Sequence, residues 1–370
     1  MTRVLITGGA GFIGSHAADA LLAAGYEVRV LDNLSPQIHG PDRKRPSYLS
    51  EDAELIVGDV TDELSVERAL RGADMVLHLA SAVGVGQSMY DIAPYVRTNE
   101  LGTGILMQAI SKRPVARLVV ASSMSIYGEG LCLTADGAEF APPERPIQQL
   151  RNGDWELRDA NGRNLDPLPT PETKTASLSS IYALNKYAQE RMCLITGNAY
   201  GIPTVALRFF NVFGPRQALS NPYTGVLAIF AARLLNGRPP LVFEDGLQRR
   251  DFVHVTDVAR ACRLTLESTH ANDVFNVGSG QCRTIASVAR DLAAVMGRSE
   301  IEPEITGKYR AGDIRHCFAD IARSRDLLGF EPRVVFEDGL NELAEYLADQ
   351  IADDQAEKAT RELLQRGLVA

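Results

Sequence analysis

Thr7-Gly8-Gly9-Ala10-Gly11-Phe12-Ile13-Gly14-Ser15 follows directly on an apolar run, Val4 to Thr7, and leads into a helical pattern. Gly8, Gly11 and Gly14 have the spacing GxxGxxG. The first permits a tight strand-to-helix turn, the second lets a pyrophosphate approach the backbone, and the third lets the helix lie against the strand. N–H groups at the new helix start then face the anion. Position between strand and helix gives the spacing its meaning, because glycines alone would read as a loop. The second apolar run ends at Asp32, eighteen residues after Gly14. A carboxylate there accepts ribose hydroxyls and repels a 2′-phosphate, so NAD is expected rather than NADP.

Outward from this turn, short apolar runs alternate with helical patterns: Val28 to Leu31, Leu55 to Val57, Met75 to Leu79, Leu118 to Ala121 and Val205 to Phe209. Unbroken apolar strands between amphipathic segments predict a parallel sheet covered on both faces, an α/β doubly wound fold of Rossmann type. Residues 1–208 read as the dinucleotide-binding domain. Residues 209–370 read as a smaller α/β substrate-binding domain, with a helix from Val226 to Leu235 and strand-like Leu241 to Phe243 and Arg250 to Val255 around Glu244-Asp245-Gly246. The division is not a clean cut: Phe275-Asn276-Val277-Gly278, within 271–280, reads as a buried strand able to return to the first sheet. Between 129 and 180 the chain is rich in Pro, Asp, Asn and Glu, with a hairpin signal at Asp159-Ala160-Asn161-Gly162. Such an insertion reads as a surface excursion, or as a lid or partner-contacting element. Two amphipathic helices, Phe336 to Ile351 and Asp354 to Arg366, read as packing and solvated surface.

With 370 residues, 45% hydrophobic and 23% charged, the chain is long enough for two cooperating domains. A net charge of −9 and no Lys/Arg block leave counterion release without a source, so nucleic acid is not an expected partner. The first residues lack the long apolar core of a secretory signal, and no run reaches a membrane span, so neither export nor a membrane is expected. Five cysteines without a CxxC pair suit reduced thiols in a cytoplasm. His78, His254 and His316 have no metal-ligand spacing and read as structural, with no metal expected.

Tyr182-Ala183-Leu184-Asn185-Lys186 opens a helical pattern that runs to Tyr200, and the spacing puts phenol and ammonium on one helix face. A phenol of pKa near 10 needs about 4 kcal/mol to ionise at pH 7. A positive charge about 4 Å away at an effective dielectric of ~20 supplies roughly that amount. Beside a dinucleotide site the pair, helped by a nicotinamide cation, therefore reads as a general base and its activator. The fifth apolar run ends in Ser122-Ser123-Met124-Ser125-Ile126-Tyr127-Gly128, placing hydroxyls at the same sheet edge.

These motifs, in order and over nearly the whole chain, resemble the extended short-chain dehydrogenase/reductases of the sugar-nucleotide epimerase/dehydratase family. The resemblance implies a catalytic triad of Ser123, Tyr182 and Lys186. It implies NAD contacts at Gly8, Gly11, Phe12, Ile13, Gly14, Asp32, Asn33, Asp59, Val60, Leu79, Ala80, Ser81, Asn99, Tyr182, Lys186 and Phe210. Nucleotide-diphosphate sugar contacts are implied at Asn211, Arg250, Arg310 and Asp313, and Arg250 and Arg310 suit a diphosphate because guanidinium is a fork rather than a point charge. A sugar pocket at Val83, Gly84, Ser123, Ser125 and Tyr182 is implied too, as is a homodimer built on 99–110 and 181–196.

The family divides by the step taken after oxidation at C4. Dehydratases typically carry Asp and Glu after the catalytic hydroxyl, and decarboxylases usually carry Glu at the second position. Met124 and Ser125 stand there instead. The expected outcome is 4-epimerisation: Tyr182 takes the C4 hydroxyl proton, a transient 4-keto sugar turns about its held diphosphate, and reduction on the opposite face regenerates NAD. The stretches 122–130 and Asn221-Pro222-Tyr223-Thr224-Gly225-Val226, with the insertion, resemble a bacterial subgroup of dTDP-L-rhamnose 4-epimerases that form dTDP-6-deoxy-L-talose. UDP-glucose or UDP-glucuronate 4-epimerisation, 4,6-dehydration and a non-catalytic dinucleotide sensor are the alternatives.

Overall fold

The computed structural model describes residues 1–218, 225–310, 312–348 and 356–369. Asn221 to Thr224 therefore lie outside the described residues, as does Ala311. Seven strands form the main sheet: β1 Arg3–Thr7, β2 Glu27–Asp32, β3 Glu54–Val57, β4 Met75–His78, β5 Arg117–Ser123, β6 Thr204–Phe209 and β7 Asp273–Val277. All pair in parallel, in the order β7-β6-β5-β4-β1-β2-β3. Alternation within each apolar run explains why both faces are covered. Val4, Ile6, Val28 and Val30 enter one core, and Leu5 and Leu31 enter the other. Helix α1, Phe12–Ala23, lies on the first face with Val255–Glu267 beside it. Helices α2, Gly102–Lys112, and α3, Ile181–Tyr200, cover the second. The strand order reverses between β1 and β4, which opens a crevice at the carboxyl ends of the sheet.

The chain leaves this sheet after β6 and comes back to it as β7, Asp273 pairing with Val205 and Val277 with Phe209. Phe275, fully buried, holds the returning strand with about 1.5–3 kcal/mol of apolar burial. The residues between these strands, with those that follow β7, form a second lobe with a separate core of Phe213, Phe230, Phe252, Leu292, Phe336 and Leu340. Its sheets are small: Asn211–Phe213 pairs with Phe252–His254, Leu241–Val242 with Glu304–Ile305, and Arg249–Arg250 lies between Arg283–Thr284 and His316–Cys317. The strand expected over Arg250 to Val255 is thus two strands, and a helix already begins at Val255. The break falls at Asp251, whose buried carboxylate accepts N–H groups from Ser279 at 2.6 Å, Gly280 at 2.8 Å and Ala319 at 3.3 Å. Burial raises its pKa to about 6 against those hydrogen bonds.

The 129–180 insertion has its own small sheet, with Cys132–Leu133 between Glu139–Phe140 and Asp166–Pro167. The expected turn at Asp159 to Gly162 is present, closed by Asp159 N–H to Arg163 at 2.9 Å and Leu165 N–H to Leu157 at 3.0 Å. The insertion is tied to the second lobe rather than left on the surface. Gly130 N–H donates to the His316 carbonyl at 2.7 Å and Thr170 N–H to Phe318 at 2.8 Å. The helices near the carboxyl end span Phe336–Ala348 and Ala356–Gln365. The second docks on the first lobe, its Leu363 against Gly86 and its Arg366 guanidinium 4.2 Å above the Tyr90 ring. Among the described residues no helix is long and apolar enough to cross a membrane.

Candidate active site

The glycine turn is fitted by contact, not only by flexibility. A Cβ on Gly14 would stand 2.3 Å from the Gly8 carbonyl oxygen, and one on Gly8 would stand 2.8 Å from Ala80 N. Gly8 also has φ +70, the left-handed region that favours glycine. Gly11, in contrast, meets only the Gly8 oxygen at 3.4 Å. Backbone packing thus requires Gly8 and Gly14, and Gly11 leaves an open approach. Helix α1 begins at Phe12 with no side-chain cap, so the N–H groups of Phe12, Ile13 and Gly14 have no hydroxyl or carboxylate over them from Gly11.

The remaining cofactor candidates gather along the same sheet edge. Asp32 ends β2 and accepts N–H groups from Ala10 at 3.0 Å and Leu34 at 2.9 Å, which fixes its carboxylate beside the turn. Burial raises its pKa and those bonds lower it. Asn33 donates to Asp59 at 2.8 Å, and Asp59 also receives Thr61 N–H at 2.9 Å. Val60 packs in the core below them. Leu79, Ala80 and Ser81 leave β4, and fully buried Asn99 binds the next peptide in both directions. It accepts Ala82 N–H at 2.6 Å and donates to Ala82 O at 3.0 Å. Asn99 lies on a π-helical turn, Arg97–Leu101, whose extra residue rotates it inward. These features fit a dinucleotide: an open helix terminus for its pyrophosphate and an oriented carboxylate for a ribose. Sequence reasoning missed Arg43, which donates to the Asn33 carbonyl at 2.5 Å.

Ser123 ends β5, and its hydroxyl oxygen accepts from Ser125 N–H at 3.2 Å and Ser125 Oγ at 2.9 Å, capping the short turn Met124–Tyr127. Tyr182 lies in the first turn of α3, with Ser180 as N-cap, and its own N–H donates to Ser88 Oγ at 3.0 Å. Burial pushes the Tyr182 phenol up to about 12, opposed by a hydrogen bond with Ser123. The lysine does not supply the expected balance. Lys186 Nζ donates to Gln189 Oε1 at 2.8 Å, and burial brings its pKa down to about 8. Gln189 in turn donates to Thr103 at 2.9 Å, which closes a buried chain through His78 to Thr7. Burial therefore opposes ionisation of this phenol, and positive charge brought near it favours the phenolate.

On the facing side, Phe210 packs with Tyr127 and Ile314, and Asn211 N–H donates to the Asp251 carbonyl at 3.0 Å. Val83 is half-exposed at the mouth of the cleft. Its carbonyl accepts the Tyr95 hydroxyl at 2.9 Å, and Gly84 follows with φ +131. The Arg250 fork is already occupied. It donates to the carbonyls of Arg249 at 2.9 Å, Arg315 at 3.0 Å and Ile314, with Asp313 at 3.6 Å. Arg310 differs: its guanidinium lies 4.1 Å from the Phe243 ring centre, and its buried Nε has no hydrogen-bond partner. An unsatisfied buried donor costs about 1–3 kcal/mol, a deficit that a bound anion removes. The residues around Arg310 are held from outside the lobe by Glu129, Arg145 and Glu156, which composition alone marked only as loop.

The model for the NAD dependent epimerase/dehydratase family matches residues 4–149 and 161–278. The chain is 37% identical over 354 residues to a dTDP-L-rhamnose 4-epimerase of Burkholderia thailandensis, covering 94% of this chain and 96% of that protein. Among solved structures, a UDP-glucose 4-epimerase of Thermotoga maritima superposes with a TM-score of 0.78 at 32% identity, covering 94% of this chain and 99% of the other. A dTDP-glucose 4,6-dehydratase of Streptomyces venezuelae, solved with NAD bound, gives 0.78 at 25% identity, covering 94% and 98%. Agreement of this breadth, from the glycine turn through the returning β7, means that the chain belongs to the NAD dependent epimerase/dehydratase family.

Proposed function

We propose that the protein is a 4-epimerase of a nucleotide-activated hexose, with conversion of dTDP-L-rhamnose to dTDP-6-deoxy-L-talose as the leading reaction. It is an NAD-dependent enzyme of the nucleotide-sugar epimerase, dehydratase and decarboxylase group. The observation that carries the finer reading is the turn after Ser123. Met124 is buried against Tyr127 and Phe210, and Ser125 spends its hydroxyl on Ser123. Neither can act as the acid that loss of water from C5 and C6 requires. Glu129, the next carboxylate along the segment, is buried and committed to Arg145 and to the N–H groups of Arg315 and His316. The likeness to the Burkholderia enzyme supports the choice of sugar nucleotide.

In this reading Gly11, the start of α1 and Asp32 hold the dinucleotide, and Lys186 adds positive charge beside it and Tyr182. When bound, NAD supplies the hydride acceptor, the later hydride donor and a positively charged ring. Ser123 orients the C4 oxygen and Tyr182 removes its proton. Arg310 holds the diphosphate, Arg250 adds its charge from behind the Ile314 and Arg315 carbonyls, and Asn211 and Asp313 contact the nucleotide while the 4-keto sugar turns, and Tyr182 returns the proton to the opposite epimer. Exposed Leu101, Leu184 and Ile195, on the segments expected to dimerise, support a homodimer. Five free thiols, four of them buried, suit a reducing cytoplasm. The test is proton NMR and mass analysis of dTDP-L-rhamnose with purified protein and no added cofactor, beside UDP-glucose and UDP-glucuronate. The C4 epimer at unchanged mass is expected. Loss of water from a dTDP-glucose control would replace epimerase with dehydratase.

A further inference from the structure

We propose that the 129–180 insertion is a brace that sets the position of Arg310 and of the 312–316 segment, making Arg145, Trp155 and Glu156 positioning residues for the substrate's diphosphate. The inference rests on the nucleotide-sugar reading above. Arg310 carries a buried guanidinium nitrogen with no partner, so its orientation is not set by its own hydrogen bonds. Tyr309 before it, and Gly312, Asp313, Arg315 and His316 after it, are each met by the insertion. The Trp155 and Tyr309 rings lie 6.3 Å apart. Ser179 Oγ donates to the Gly312 carbonyl at 3.3 Å, and Gly312, at φ +74, sits so close that a Cβ would stand 2.7 Å from the Ser179 oxygen. Arg145 donates to the Asp313 carbonyl at 3.0 Å while paired with Glu129 at 3.3 Å and Glu244 at 2.9 Å.

The brace continues past the loop. Glu129 accepts the N–H groups of Arg315 at 2.8 Å and His316 at 3.2 Å. Glu156 takes Arg315 Nη2 at 2.5 Å and faces His316 Nε2 at 3.2 Å. A buried ion cluster is a poor way to gain stability over apolar packing, but its paired geometry fixes direction. Here the direction it fixes is that of the backbone bearing Arg310 and Asp313. Groups one step behind the ligand typically alter affinity rather than the chemical step, because they move binding groups and leave the reacting ones in place.

Trp155→Ala and Glu156→Gln test this at the accessible edge of the cluster, since Arg145→Gln removes the buried guanidinium that bridges Glu129 and Glu244 and endangers folding. Calorimetry with dTDP and with UDP, together with KM and kcat on the active sugar nucleotide, is run on the full chain. The expected result is nucleoside-diphosphate Kd and KM raised about tenfold, as for groups supporting a binding shell, with NAD content unchanged and kcat within about threefold. Trp155→Phe restores affinity. Unchanged Kd in both variants overturns the brace and leaves the substrate reading standing, as does a reduced folded fraction whose affinity equals the parent's. A parent chain that binds neither dTDP nor UDP overturns both.

Discussion

At the glycine turn the decisive contacts are made where side chains are missing, Gly8 and Gly14 letting backbone meet backbone. In the second lobe and the insertion bound to it they are made by long charged side chains, Arg145, Arg250 and Arg315 held among buried carboxylates and carbonyls. The first arrangement is steric: one added carbon collides, and neither salt nor pH relieves it. The second is electrostatic, and a lost partner leaves a desolvated charge behind. The same fold therefore carries two kinds of sensitivity.

Gly14→Val should have the largest effect, because its Cβ would lie 2.3 Å from the Gly8 oxygen. We expect no cooperative thermal transition and no retained NAD, while Gly11→Ala folds and only weakens NAD. A Gly14→Val protein that melts like the parent would break the steric half of the comparison. Tyr182→Phe comes next. Turnover should fall by about 10²- to 10⁴-fold, the usual reach of a general base, with NAD content unchanged. Unaltered turnover in the NMR assay would remove Tyr182 from the mechanism.

Arg315→Met sharpens the electrostatic half. Removing one partner from a buried cluster should cost about 3–5 kcal/mol in denaturant unfolding, and a loss below about 1 kcal/mol would show that the cluster is solvated. The pH dependence is milder. A lysine is cationic below its pKa, which burial lowers to about 8 for Lys186, while the Tyr182 phenol ionises only toward about 12, so kcat/KM should rise with pH to about 8 and level off above it. A wild-type profile flat below that pH as well would contradict it. Arg158→Ala, which breaks an exposed pair with Asp154 at 2.9 Å, should leave the midpoint of the same unfolding assay where it is in the parent.

Much of the first lobe was legible because each of its decisions is local. Six apolar runs, a glycine spacing and a strand-end aspartate are all read within a few residues, and the structure adds only their order. Phe275-Asn276-Val277 was readable as a strand for the same reason. The second lobe was harder, because its short strands are set by partners far along the chain. Asp251 interrupts an apolar run because Ser279, Gly280 and Ala319 meet its carboxylate. Lys186 turns to Gln189, three residues on, a pairing that helical spacing allows but does not single out. The insertion was opaque for a related reason: Glu129, Arg145 and Glu156 look like solvated charges until Glu244 and Arg315 are brought against them.

The return of β7 to the main sheet has a consequence for biosynthesis. When the ribosome has finished β6, the outer edge of Val205, Leu207 and Phe209 has no neighbour, and everything from Phe210 to Asn272 must be made before β7 can pair with it. Throughout that interval the nascent chain presents an apolar strand edge, the surface on which other unfinished chains associate. Chains that stop in this interval should aggregate although every residue of the glycine turn, Ser123, Tyr182 and Lys186 is already present, and this edge should cease to attract other chains once Val277 emerges.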